Sequence, residues 1–83
     1  MEERRGALNG TNVPDTAAAR LGGDLRRRRR ALGLSQVDLA ELAGVSERFV
    51  RLVESGKASV RLDKLNAVLI ALGMELRAEV RST

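Results

Sequence analysis

The sequence predicts a mainly helical protein: a bundle of four to five short helices, followed by one β-strand that pairs across a homodimer. Three observations predict it. Apolar residues recur every three to four positions in successive segments, and these segments are closed by glycines. The spacing then drops to two over residues 74–83. Finally, the chain has 83 residues and neither cysteine nor histidine, which excludes disulfides and the usual thiolate or imidazole zinc sites as staples. Oligomerisation is the remaining common way to reinforce so small a core.

Residues 1–15 are polar, contain glycine and show no periodicity, so they read as a disordered leader. A first helix is expected in "TAAARLGGDLRRRRRAL", capped by Asp15 or Thr16, with Leu21, Leu25 and Leu32 at helical spacing. Gly22 and Gly23 each weaken it by roughly 1 kcal/mol relative to alanine, so its first turns are expected to fray; Gly33 ends it. In "SQVDLAELAG", Ser35 caps, Asp38 completes an acidic variant of the capping box, and Gly44 terminates. Leu39, Leu42 and Ala43 supply its inward stripe. "SERFVRLVESG" repeats the design, with Ser46 as cap, Val50 and Val53 inward, and Gly56 at the end. A fourth helix covers roughly Leu62 to Leu72, where Leu62, Leu65, Val68, Leu69 and Leu72 form one wide apolar face and Gly73 closes it. Residues 16–73 are thus the folded domain, and 74–83 the dimerisation strand and tail.

In "MELRAEVR", Met74, Leu76, Ala78 and Val80 alternate with Glu75, Arg77, Glu79 and Arg81, the repeat of a half-buried strand. A lone strand leaves backbone donors and acceptors unpaired, so the expected partner is the same segment of a second copy. Antiparallel pairing about Ala78 sets Glu75 opposite Arg81 and Arg77 opposite Glu79. Each opposite-charge contact contributes about 0.2–1 kcal/mol. The register is self-complementary, as a two-fold interface requires.

The net charge is +4 and the sequence pI about 11.0, which suits an anionic partner. Phe49 is the sole aromatic residue, which argues against binding single strands by base stacking and leaves duplex DNA or a protein as partner. Apolar stretches fall far short of the roughly 20 residues that span a bilayer, and the polar start lacks a signal-peptide core. A cytoplasmic protein without a membrane partner is expected. No grouping of residues supports acid–base or nucleophilic catalysis, so neither an enzyme nor a cofactor is expected.

Two short helices joined by "AGVS", the second opening with polar side chains, form a helix-turn-helix signature. Gly44 permits the tight turn, Val45 plugs it, and Ser46 caps the helix that would enter the major groove. The stretch "LGLSQVDLAELAGVSERFVRLVESGK" resembles the Xre/Cro family of phage-repressor-like helix-turn-helix domains. The likeness rests on LSQ, LA and GVS, a buried aliphatic pair, then E and G, and it runs over about residues 21–73. It implies a lambda repressor-like bundle that binds operator DNA as a dimer.

By that resemblance, Gln36 is a phosphate ligand at the start of the second helix, and Ser46, Glu47, Arg48, Arg51 and Leu52 reach base edges. Arg48 or Arg51 would bind guanine O6 and N7; Leu52 would touch a thymine methyl. Glu47 would accept from cytosine N4, or else simply complement the helix dipole. Lys57 and Arg61 are candidate phosphate clamps, or ordinary solvated charges. Arg26 to Arg30 advance about 100° each and sweep past a full turn, so they cannot all face one duplex. The resemblance pairs Arg29 with Glu54, tying the first helix to the third, and leaves Arg26, Arg27 and Arg30 as phosphate contacts or a solvated face. Relatives often carry an aliphatic residue at the place of Arg28, whose stem is expected to cover the core edge. Phe49 is expected against the second helix or a dimer partner, the alternative being a DNA sugar.

The helix "RLDKLNAVLIALG" followed by "MELRAEVR" looks like the Hip-type antitoxins and their Xre-like relatives. That likeness implies paired C-terminal strands, repression of the protein's own operon from the nucleoid, and a HipA-like serine/threonine kinase toxin as partner. Two alternatives stand beside it: a stand-alone phage or chromosomal repressor without a toxin, and a protein-interaction adaptor that does not bind DNA.

Overall fold

Residues 16–57 and 59–81 are described by a computed structural model. Among them four helices follow one another: α1 (Ala17–Ala31), α2 (Gln36–Ala43), α3 (Glu47–Glu54) and α4 (Leu62–Ala71). The expected leader lies outside the described residues. Three starts are fixed by side-chain caps. Thr16 Oγ1 accepts from the Ala19 amide at 3.1 Å, and Ser46 Oγ from the Phe49 amide at 3.0 Å. At α2, Ser35 Oγ accepts from the Asp38 amide at 3.0 Å while Asp38 Oδ2 accepts from the Ser35 amide at 2.9 Å, a complete capping box. All four helices stop alike. Gly33, Gly44, Gly56 and Gly73 take φ of 71° to 87°, and the next amide reaches back to the last turn, as Met74 N does to Leu69 O at 2.8 Å.

α2 packs on α3 and α4, and α1 packs on α3. Leu25, Leu39, Val50, Val68, Leu69 and Leu72 each expose 1% or less, and burying one such side chain contributes about 1.5–3 kcal/mol. Phe49 joins this core, and Val45 packs against it from the turn. The aromatic ring is therefore turned inward, away from solvent.

Several expectations need correction. Leu42 does not face inward and is 64% exposed. The buried arc of α2 runs through Leu39, Ala40 and Ala43, and at about 100° per residue Leu42 sits about 60° outside it. Leu62, at the very start of α4, is also exposed, and so is Leu32 at the end of α1. α1 runs unbroken through its glycines from Ala17. Gly22 is buried where α1 crosses the end of α3, and a Cβ there would overlap the Val53 carbonyl oxygen and stand 2.9 Å from that of Glu54. The glycine permits the crossing. Arg28 lends more than its stem to the core edge, since its Nε donates to the Leu72 carbonyl at 2.9 Å and holds α1 to the end of α4.

The expected C-terminal strand is absent among the described residues: 74–81 carry no regular secondary structure. A strand exists through its ladder, and the described part of one chain offers this segment no second edge. Met74 is half-buried against the core of its own chain, whereas Leu76, Ala78 and Val80 are exposed.

Candidate nucleic-acid interface

The sequence of α3 divides its surface in two. Phe49, Val50 and Val53 are buried; Arg48, Arg51, Leu52 and Ser55 recur at i, i+3, i+4 and i+7 on the opposite side, with Ser46 and Glu47 leading onto it. The outward face therefore carries the polar and basic residues. Glu47 Oε2 accepts from Arg51 Nη1 at 2.5 Å, one turn along the helix. Arg48 is exposed and has no hydrogen-bonding or ionic partner among the described residues.

Beside this face lies a depression of 370 Å³ lined by Arg26, Gln36, Arg51, Leu52, Glu54 and Ser55. Three helices meet there. Glu54, which lines it, belongs to an ion pair whose side chains are only 8% and 5% exposed: Arg29 Nε donates to Glu54 Oε2 at 2.6 Å. Arg29 Nη2 donates to Glu54 Oε1 at 2.9 Å, and Nη1 to the Leu34 carbonyl at 2.7 Å. Gln36 Nε2 adds a bond to Glu54 Oε1 at 3.1 Å. One carboxylate thus holds α1, α2 and α3 together. Burial pushes the Glu54 carboxyl up, but hydrogen bonds from Arg29 and Gln36 and the charges of Arg29 and Arg26 outweigh it, so Glu54 titrates below the ordinary glutamate value. The bonds to Glu54 raise Arg29 against the opposing effect of burial. Both groups are charged at neutral pH.

The other expected site residues are spread over the surface. Arg26 lies at the depression beside Arg51, and the Gln36 amide has one hydrogen on Glu54 and one left over. Arg27 pairs with Asp24, one turn back on α1. Arg30 is exposed. Lys57 lies away from the depression, beside an apolar groove that includes Leu21, Val60 and Leu62. Arg61 Nη2 donates to Asp63 Oδ2 at 2.6 Å; both side chains are about two-thirds exposed, at 68% and 65%, so a competing phosphate would displace little. Sequence reasoning missed one residue lining the depression, Ser55, and one bond at its edge, that of Gln36 to Glu54. The Gln36–Glu54 bond spans 18 residues and has no local signal, but Ser55 was within reach, because it stands at i+4 from Arg51 on the same face.

Among the described residues no helix is long and apolar enough to cross a membrane. Residues 25–78 match the helix-turn-helix family HTH_3. The fold is similar to the crystal structure of the restriction-modification controller protein C.AhdI from Aeromonas hydrophila. The two are 38% identical, with a TM-score of 0.64 over 70% of this chain and 88% of that one. Among curated proteins nothing matches.

Proposed function

The chain belongs to the helix-turn-helix family HTH_3, of the Xre and lambda-repressor type, and on that premise we propose that it is a sequence-specific repressor that grips duplex operator DNA as a homodimer. The observation that carries this reading is the division of α3: a buried apolar side fixes the helix, while Arg48 and Arg51 stand exposed on the other side with Glu47 and Leu52 half-buried beside them. A helix so presented fits the major groove, with Ser46 near the bases at its start. Arg26 and the remaining Gln36 N–H act on phosphate beside it, and Arg27, Arg30, Lys57 and Arg61 add backbone contacts further out.

The dimer is formed through residues 74–83 together with the exposed apolar residues of α4. Leu62 and Ile70 are 64% and 67% exposed, and Leu76 and Val80 are 47% and 97% exposed. In this reading such side chains would meet a second copy, whose Leu76, Ala78 and Val80 would supply the ladder that one chain lacks. The regulated operon has two settings. The likeness to a controller protein of 38% identity supports a regulator of that kind, without a toxin. The sequence of α4 and the tail supports the other, an autoregulating antitoxin that binds a HipA-like kinase. Stoichiometric capture of such a kinase by the purified protein separates them, and its absence leaves the stand-alone regulator.

Selection of random duplexes by the purified protein, with its own promoter as competitor, tests the DNA reading. A palindromic winner whose affinity falls by orders of magnitude between low and physiological salt is expected. Salt-insensitive association without a preferred duplex would instead identify a protein adaptor.

A further inference from the structure

Resting on the DNA reading above, we propose that Glu47 and Arg51 act as one unit that reads a single G·C base pair in a fixed orientation. The two side chains are already joined in the free protein, Arg51 Nη1 to Glu47 Oε2 at 2.5 Å, on the outward face of α3. Joined this way, they present guanidinium donors followed by a carboxylate acceptor. The major-groove edge of a G·C pair, crossed from the purine, shows two acceptors, guanine N7 and O6, and then a donor, cytosine N4. Donor meets acceptor along the whole edge. An A·T pair shows acceptor, donor, acceptor and then a methyl group, which sets adenine N6 against the guanidinium and thymine O4 against the carboxylate. A reversed pair inverts the order and fails likewise.

Arg51 also borders the depression that holds Arg26 and Gln36, so its competing role is to grip a phosphate there. With the two side chains 53% and 42% exposed, its partner biases against that role without excluding it. A carboxylate held at 2.5 Å from the guanidinium opposes the approach of a phosphate, yet on a base edge the same carboxylate finds the N4 donor. Arg48, exposed and without an acidic partner among the described residues, carries no such penalty and is the arginine suited to contact either backbone or a second base. The acid thereby confers discrimination rather than affinity, since it lowers the attraction of α3 for DNA of any sequence.

The test is a double-mutant cycle on Glu47→Ala and Arg51→Ala, measured against the selected duplex and against duplexes changed one base pair at a time. Each single variant is expected to lose about 5- to 150-fold of its preference at the same G·C pair, and the double variant no more than either. Glu47→Ala should also bind scrambled duplex more tightly than the parent does. If Glu47→Ala keeps every base preference, while Arg51→Ala weakens all duplexes alike and lowers the salt slope by about one, Arg51 is a phosphate contact and the proposal is overturned. If the parent protein itself fails to prefer the selected duplex over scrambled DNA, the DNA reading falls with it. The two failures are distinguished by the parent's own preference.

Discussion

Glu54→Ala removes the one carboxylate on which three helices converge, and its cost follows from what it leaves behind. Arg29, with its side chain 8% exposed, would keep only the bond to the Leu34 carbonyl, and Gln36 would lose its acceptor. Breaking a buried pair by deleting one partner costs about 3–5 kcal/mol, because the remaining charge stays desolvated. A domain of this size has a total stability on the order of 4–12 kcal/mol. The variant should therefore melt at least about 12 °C lower, and at the weak end of that range it will be partly unfolded at room temperature. Thermal and urea denaturation followed by circular dichroism measures this. A second variant separates buried charge from mere contact: Arg29→Met with Glu54→Leu replaces the pair by apolar groups of similar size, and should recover more than half of the loss. A loss below about 1 kcal/mol in Glu54→Ala is what exposed pairs show. That result would refute the view that this pair ties α1 to α3.

The two adjacent glycines of α1 should respond with opposite signs. Gly22→Ala drives a methyl group into the Val53 carbonyl and should destabilise by about 1–3 kcal/mol, whereas Gly23→Ala, whose Cβ meets only Arg27 Nη1 at 3.5 Å, should stabilise by about 0.5–1 kcal/mol; urea midpoints decide both. Acid should destabilise the fold through its depressed carboxyls: Glu54, the capping-box Asp38 and Asp63 beside Arg61 are held below their ordinary values when folded, so the unfolded chain takes up protons first. Their contribution is complete above about pH 4.3 and disappears as pH falls through the folded values, and Glu54→Gln should flatten this part of the urea-midpoint profile. Deleting residues 75–83 spares Met74 and its bond to Leu69; the product should keep its helical spectrum but sediment as a monomer, and a persistent dimer would place the interface elsewhere. Arg28→Met should lower stability by about 0.5–1.5 kcal/mol, the worth of one hydrogen bond, with no effect on which duplex is preferred.

What was legible in the sequence was what is decided locally. Ser35 with Asp38, Ser46, and the glycines at 33, 44, 56 and 73 act within a single turn of the chain, so their types alone place the helix ends. Direction was harder to read. In an eight-residue helix such as α2, Leu39, Leu42 and Ala43 fit a stripe equally well with Leu42 inside or outside it, and only the arrangement of α3 and α4 around α2 turns it to solvent. Gly22 looked like a weak point because propensity considers one helix at a time, yet its place is set by a carbonyl of another helix. Arg29 and Glu54 were assigned to each other through a family likeness, and they are in contact. Nothing local announces the third member, Gln36, since the distance between them in the chain is closed only by folding. The alternation in 74–81 describes what that segment would offer a partner, and a strand needs the partner before it forms.

The central claim is that α3 lies in the major groove of duplex DNA and is presented twice. Methylation interference on the selected duplex tests it most directly, because dimethyl sulfate marks guanine N7 in the major groove and adenine N3 in the minor groove. The expected result is two dyad-related clusters of guanines whose N7 methylation excludes the duplex from the bound fraction, with adenine methylation tolerated. Binding indifferent to every N7 methyl, or blocked only by adenine N3, would contradict the account.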